Sequence, residues 1–409
     1  MSASLPLYHT ISQRIQATTA PARLPLPSVR RLALLVTGLV AAQSTVLARI
    51  AAELFALNLT AALTAEHIGR RLRRTLSDPL LIAEECYQPL LRSVIAWPSV
   101  AHKGRIIVAI DEGSKEDLLH LFRASLPYWG NAVPLVWTIW EQNVPLPEGA
   151  YWAMVDAVLA RLATLLPADL PIWIVADRFY AIAPFLDRLT AYGWHWAIRT
   201  TTTGSHRFRD RHGREWALKD YLARRVGGAG QQWKGGGWML KQAGWRRIRL
   251  VACWGAGEKE ALVVITDGAA RWQVLETYAR RFWIEPGFRS DKTRGWQWEE
   301  SRVQGLAHHA VLLLAMAWAS LLALCLGVAE AQRWLRRLAA RQRRGRSPQP
   351  RHARESLFTL GLTALRACLY GRRTRRRMRW HLPQINAPSW YDRWHEAQSL
   401  SALCQTVRP

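Results

Sequence analysis

The stretch RIIVAIDEGS, residues 105–114, leads from a run of Ile and Val into the carboxylate of Asp111. Continuous apolar runs rich in β-branched residues are typical of strands buried on both faces. We therefore expect this strand to end at Asp111. A second such run, PIWIVADRFY at 171–180, ends at Asp177. Because ligands collect at strand tips in α/β sheets, both acids are candidate site residues, although each alone is more readily explained as a turn former.

Further elements alternate around these two runs. VPLVWTIWEQ (133–142) predicts a strand, YWAMVDAVLARLATLL (151–166) an amphipathic helix, IAPFLDRLTAYG (182–193) a second helix and WHWAIRT (194–200) another strand. Strands that alternate with helices indicate an α/β core, with a sheet flanked by helices.

The flanking regions differ from this core. Residues 1–100 carry apolar residues at helical spacing, whereas 204–267 consist of short β-prone pieces between Gly-rich turns that disfavour helices. We predict a helical N-terminal region (1–100), a core in two parts (101–203 and 268–330), a β-rich insertion between them (204–267) and a basic helical C-terminal region (331–409).

The charge of the chain predicts a polyanionic partner. Lys and Arg number 56 against 30 Asp and Glu, a net charge of +26. Nucleic acid fits because neutralised phosphates release counterions; an anionic membrane surface is the rival. Arg70, Arg71, Arg73 and Arg74, together with two basic runs after residue 330, are candidate phosphate contacts, with a solvated surface as the alternative. The 22 Trp residues suit either base stacking or core packing.

One apolar segment, GLAHHAVLLLAMAWASLLALCLGV (305–328), is long enough to span a bilayer. His308 and His309 lie in its first turns and basic stretches follow it, so a buried core helix is favoured over a membrane anchor. The N-terminus shows no signal-peptide pattern, and five scattered cysteines give no zinc or disulfide spacing. We expect a cytoplasmic protein without a membrane partner.

The most specific pattern is YARRFWIEPGFRSDK, residues 278–292. Tyr278, Arg281, Glu285 and Lys292 are separated by two, three and six residues. On a helix the first three share a face, which would direct a phenol, a guanidinium and a carboxylate toward the strand tips. An amphipathic helix with incidental charges is the alternative. Pro286 and Gly287 predict a kink before Lys292.

This spacing resembles the Tyr-Arg-Glu-Lys signature of the insertion sequence four family of bacterial DDE transposases. The resemblance extends over residues 100–328, from IIVAIDEGS through WIVADRFY and IEPGFRSDK to the apolar helix. It implies a ribonuclease-H-like core, interrupted by a β-rich insertion between the second Asp and the Glu.

The resemblance also implies site roles. Asp111, Asp177 and Glu285 are the expected catalytic residues and hold two Mg²⁺ ions, for which Mn²⁺ substitutes. The phosphate-binding residues are Tyr278, Arg281 and Lys292, and a Trp of the insertion, with Trp238 as the candidate, stacks on a flipped base.

The function expected from this resemblance is metal-dependent cleavage of DNA at transposon ends, followed by strand transfer into target DNA. The partner is DNA, and a homodimer is expected in the synaptic complex. A catalytically idle or domesticated DNA-binding protein and a non-transposing nuclease with the same core are the alternatives.

Overall fold

The N-terminal part of the computed structural model is helical, as predicted. The structure describes residues 5–59, 64–202, 206–255, 258, 260–342, 356–371 and 380–382. Within these described ranges, seven helices precede the first strand: α1 (Leu5–Thr19), α2 (Leu26–Ala42), α3 (Leu47–Ala56), α4 (Ala65–Leu76), α5 (Ala83–Cys86), α6 (Gln88–Val94) and α7 (Trp97–Val100).

Ten strands within the described residues form one mixed sheet. Its strands are β1 (Ile106–Lys115), β2 (Leu119–Tyr128), β3 (Asn131–Glu141), β4 (Ile172–Ala176), β5 (His195–Thr200), β6 (Arg207–Arg209), β7 (Glu215–Ala217), β8 (Gln232–Met239), β9 (Arg246–Cys253) and β10 (Leu262–Thr266). Their order is β3-β2-β1-β4-β5-β10-β9-β8-β6-β7. The first three are antiparallel, and β4 and β5 run parallel to β1. This mixed sheet, flanked by helices, confirms the predicted α/β core.

The predicted end of the first strand at Asp111 is wrong, because β1 continues to Lys115. Its parallel pairing with β4 stops at Ile110, opposite Ala176, whereas its antiparallel pairing with β2 continues to Lys115, opposite Leu119. Strand β2 was not predicted, since its polar residues and a Pro interrupt the apolar pattern. Asp111 is therefore the first residue of β1 that pairs with β2 but no longer with β4.

The strands of the predicted insertion continue the core sheet. Strand β10 pairs with β5 on one side and with β9 on the other, and β8 follows β9. A short helix, α10 (Leu218–Ala223), lies in this region, where the Gly-rich turns had argued against helices. It forms because Leu218, Tyr221 and Leu222, at helical spacing, are buried.

Helices cover both faces of the sheet. Residues at even positions of β1, such as Ile110, share a core with α8 (Ala150–Leu165) and α9 (Ala183–Ala191). Residues at odd positions, such as Ala109, share a second core with α11 (Gln273–Ala279) and α12 (Ile284–Arg289). Asp111 and Glu112 therefore belong to opposite faces of the sheet.

The apolar segment is a buried core helix, as predicted. It lies in α13 (Leu306–Gln342), the one helix in the described part of the chain that is long and apolar enough by itself to cross a membrane, and 94% of its most apolar window is buried. Its close neighbour α14 (Leu357–Leu369) requires glycine at the crossing, because a Cβ at Gly361 would lie 1.7 Å from the carbonyl oxygen of Ala323. Most of the two basic runs after residue 330 lies outside the described residues.

Candidate active site

The carboxylate of Asp111 is held on the face of the sheet that α11 and α12 cover. Its Oδ1 accepts a hydrogen bond from the backbone N–H of Glu112 at 3.0 Å, and its Oδ2 accepts one from Nη2 of Arg281 at 2.8 Å. Only 14% of the side chain is exposed. Burial raises the pKa of Asp111 to about 6, Arg281 opposes this rise, and the charges of Asp177 and Glu285 add to it.

Asp177 directly follows β4, as the sequence predicts for a carboxylate at a strand tip. Its Oδ1 accepts a hydrogen bond from the backbone N–H of Phe179 at 2.8 Å and so caps a 3₁₀ turn over Arg178–Tyr180. Strands β1 and β4 are neighbours, so this turn begins beside the point where Asp111 leaves the parallel pairing. The charge of Asp177 acts on Asp111 for this reason.

The third acid, Glu285, lies on a helical run that extends without interruption from Gln273 to Arg294. The run passes from α11 through a 3₁₀ turn (Arg280–Trp283) and α12 into a π-helical turn (Ser290–Arg294). Pro286 is the third residue of α12, just after the change from 3₁₀ to α-helical geometry, and it has no backbone N–H to donate to the preceding turn. Lys292 therefore remains on the same run as Glu285, although the helix type changes between them.

Arg281 connects the first and third acids. Its Nη1 donates to Oε1 of Glu285 at 2.6 Å, one helical turn along the chain, and its Nη2 donates to Oδ2 of Asp111. Its side chain is only 12% exposed, and the surrounding carboxylates raise its pKa above the ordinary value against the effect of burial. The residue predicted to contact phosphate thus binds two of the three candidate catalytic carboxylates.

The three acids suit a divalent cation in chemistry, but they do not surround a common point. Among the described residues, no three His, Cys, Asp or Glu side chains are close enough to hold one ion. Carboxylate oxygens are nevertheless the ligands that Mg²⁺ and Mn²⁺ prefer. The charges of Asp177 and Glu285 both disfavour ionisation of Asp111, a repulsion that a cation would relieve. The donor set fits a divalent metal, and the guanidinium of Arg281 provides the compensating positive charge.

Two further predicted site residues, Tyr278 and Lys292, lie on the same helical run as Glu285 and differ in exposure. Tyr278 is 1% exposed, packs edge-on against Phe282, and feels the charges of Asp111 and Asp177. Burial raises the pKa of Tyr278 to about 12. Lys292 is partly exposed and forms an ion pair with Glu299 at 3.7 Å.

Trp238 is not brought to the acids. It lies on β8, five strands from β1 in the sheet order, which corresponds to roughly 24 Å at the usual strand spacing. Its indole packs under the guanidinium of Arg209, with 5.4 Å between the guanidinium carbon and the ring centroid. A role for this Trp in stacking on DNA remains a prediction about a surface away from the acids.

Sequence reasoning missed Glu112, the neighbour of Asp111. On the opposite face of the sheet, its Oε1 accepts hydrogen bonds from the hydroxyls of Tyr151 at 2.7 Å and Tyr180 at 2.9 Å. Tyr180 ends the turn that Asp177 caps. Glu112 therefore ties the strand of the first acid to the turn of the second. The only sequence signal was an acid next to Asp111, since the partners are 39 and 68 residues away.

Comparison with known proteins gives one family match. Residues 152–322 match the transposase DDE domain. The matched stretch contains Asp177 and Glu285 and begins after Asp111. It supports a transposase of the DDE type as the class of protein, and it does not single out the insertion sequence four family.

Two further comparisons do not refine the assignment of this class of protein. No curated protein matches the chain. Among solved structures, the chain is similar to the piggyBac transposase synaptic complex with hairpin DNA, with a TM-score of 0.41 and 9% identity, over 100% of this chain and 85% of that one. Similarity at this level carries no argument about residues or reaction.

Proposed function

We propose that this chain is a DDE transposase of the insertion sequence four family, which cleaves DNA at transposon ends and transfers the strands into target DNA. The observation that carries the proposal is the bridge from Arg281 to Glu285 and Asp111. These contacts join the helical run that carries Tyr278, Arg281, Glu285 and Lys292 to the strand of Asp111, and they support the proposed assignment of the signature. The transposase DDE match over 152–322 supports the same class.

In this proposal Asp111, Asp177 and Glu285 hold two Mg²⁺ ions, for which Mn²⁺ substitutes. Bound there, the metals would lower the pKa of an attacking water or DNA 3′-hydroxyl and stabilise the leaving oxygen. The protein contributes the alignment of the carboxylates: β1 carries the first, the turn after β4 the second, and the first turn of α12 the third.

Arg281 has a second task in the proposed mechanism. Its hydrogen bonds to Asp111 and Glu285 compete with any cation that those carboxylates bind. We propose that the guanidinium turns from the carboxylates to the scissile phosphate when DNA enters, because Arg binds phosphate oxygens bidentately. Lys292 would also reach a phosphate, since its ion pair with Glu299 is long and partly exposed. Tyr278 and Trp238 are proposed to contact a phosphate oxygen and a flipped base, respectively.

The DNA surface is proposed to include α4. His67, Arg70, Arg71 and Arg74 recur at helical spacing and, with Arg31, line a cleft of about 330 Å³. Arg70 and Arg74 are exposed. A row of arginines along one helix face suits the phosphates of a duplex, which this contact would position without reading sequence. In the synaptic complex we propose a homodimer that holds two transposon ends.

The test is cleavage of a DNA fragment that carries the terminal inverted repeats bounding the gene. We expect nicking and strand transfer with Mg²⁺ or Mn²⁺, no reaction with EDTA, and none for D111N, D177N or E285Q. The matched control is E300Q, which alters an exposed carboxylate paired with Arg49 and should retain activity.

The alternatives predict different results from the same assay. A shifted DNA band without metal-dependent cleavage would indicate an idle DNA-binding protein. Cleavage without joining to target DNA would indicate a nuclease that does not transpose. Normal cleavage by D111N would overturn the assignment of the site.

A further inference from the structure

A second ion pair lies beside the bridge from Arg281 to Asp111. In the register of β1 with β2, Arg123 is directly opposite Asp111, and directly opposite residues project from the same face of a sheet. Arg123 pairs through Nη1 with Oδ2 of Asp291, which lies on the helical run that carries Arg281. Asp111 and Arg123, side by side in the sheet, therefore contact Arg281 and Asp291, respectively. Glu285 lies between these two contacts on the helical run.

The pair between Arg123 and Asp291 is deeply buried. The side chains are 4% and 7% exposed. The guanidinium also packs over Phe288, with its carbon 4.1 Å from the ring centroid. A Cβ added at Gly287 would lie 3.3 Å from Nη2 of Arg123, so glycine allows the helix to approach this closely. Asp291 falls in the π-helical turn, and π-helical turns occur frequently at functional sites.

A buried ion pair contributes little net free energy to the stability of a fold. Desolvation of two charges offsets most of their attraction, and apolar replacements of a buried pair are often neutral or stabilising. What a buried pair does provide is a defined geometry, because the two charges meet in only one arrangement. The pair of Arg123 and Asp291 thereby fixes the distance between the helical run of Glu285 and the strand pair of Asp111.

We propose that Arg123 and Asp291 are positioning residues that fix the helical run of Glu285 against the strand pair that carries Asp111, so that both carboxylates are available to a divalent metal ion. This inference rests on the proposed function. Arg281 contacts the carboxylates themselves, whereas Arg123 and Asp291 act only through the placement of the helical run. The pair remains in place when Arg281 turns to DNA, and so keeps the helical run of Glu285 at a fixed distance from the strand of Asp111.

The test measures Mn²⁺ binding by calorimetry on the full chain, alongside the Mn²⁺ concentration needed for cleavage. The variants are D291N, which removes one charge, and the double variant R123M/D291L, which removes both and should remain folded. We expect both to bind Mn²⁺ about 10-fold to 100-fold more weakly, the range found when outer partners of metal ligands are changed. High Mn²⁺ should partly restore cleavage.

The control is D78N, which breaks the ion pair between Arg31 on α2 and the buried Asp78, two residues after the end of α4. It should lower the melting temperature and leave Mn²⁺ affinity unchanged. If R123M/D291L binds Mn²⁺ like the wild type while D111N does not, the pair is merely structural and the inference is wrong. If D111N binds Mn²⁺ like the wild type, the proposed function itself fails, and the inference fails with it.

Discussion

Nη2 of Arg281 lies 2.8 Å from Oδ2 of Asp111, although 170 residues separate them in the chain. The contact joins the first candidate catalytic acid to the helical run of the third, and it does so with the residue expected to contact phosphate. A guanidinium in this position neutralises acids that would otherwise repel one another. It must then compete with whatever cation or phosphate the site takes.

Replacement of Arg281 should strongly slow DNA cleavage without unfolding the protein. In R281Q the carboxylates lose their neutralising partner and a developing phosphate charge loses a bidentate donor, so we expect the cleavage rate to fall at least about 100-fold. The measurement is single-turnover cleavage at saturating Mg²⁺. R289Q, which changes an exposed arginine on the same helical run, is the control and should remain within about twofold of the wild type. Equal rates for R281Q and the wild type would contradict the proposed role.

Metal binding should weaken in mild acid because of Asp111. Its pKa is raised to about 6 from an ordinary value of 3.8, so the carboxylate is ionised above about pH 6 and protonated below it. Protons and cations compete for the same oxygens, and Mn²⁺ affinity should fall by up to about tenfold per pH unit below 6. Calorimetric titrations between pH 7.5 and 5 measure this. An affinity that stays constant over that range would count against Asp111 as a ligand.

The contact of Glu112 with two tyrosines should stabilise the fold and align two acids. E112A leaves the buried hydroxyl of Tyr180 without its carboxylate acceptor, and we expect a loss of about 2 kcal/mol in the free energy of unfolding. Urea unfolding measures this. Y151F, which removes only the other hydroxyl, should cost about half as much. Cleavage by E112A should also fall, since Glu112 ties the strand of Asp111 to the turn of Asp177; unchanged cleavage would limit Glu112 to a structural role.

The sequence correctly predicted those strands and helices that depend on the pattern of neighbouring residues in the chain. The apolar runs before Asp111 and Asp177 became strands, and the spacing from Tyr278 to Glu285 became a helical run, because side-chain periodicity decides such elements. The strand of Asp111 did not end there, since its extension depends on pairing with β2, whose own sequence carries a weak pattern. The limit of sequence reasoning was therefore the pairing between strands.

Pairings between distant residues were not predictable in the same way. Asp291 and Arg123 are 168 residues apart, and nothing in either segment indicates the other. The partner of Arg281 was likewise missed, because a guanidinium suits a carboxylate and a phosphate equally well. Trp238 was chosen from the Trp residues of the insertion because of the family resemblance, and the strand order separates it from the acids.

A buried histidine should make the protein sensitive to acid. His309, in the first turn of α13, is 2% exposed; its Nε2–H donates to the carbonyl of Val303 at 2.8 Å, and its Nδ1 accepts from the indole N–H of Trp298 at 3.3 Å. Both nitrogens are thus satisfied in the neutral ring, and a proton on Nδ1 would face another donor. Burial foremost, with the charge of Lys115, lowers the pKa of His309 from 6.5 to about 4.

Because the folded-state pKa is depressed, the unfolded chain binds the proton more readily between pH 6.5 and 4. The free energy of unfolding should therefore fall as the pH drops through this window, by about 3 kcal/mol from His309 alone. H309Q should remove that share of the slope in urea unfolding at pH 7, 5.5 and 4.5, whereas H308Q, which changes the partly exposed neighbour, should keep it. A slope that is the same in H309Q and the wild type would show that His309 is not the group that titrates.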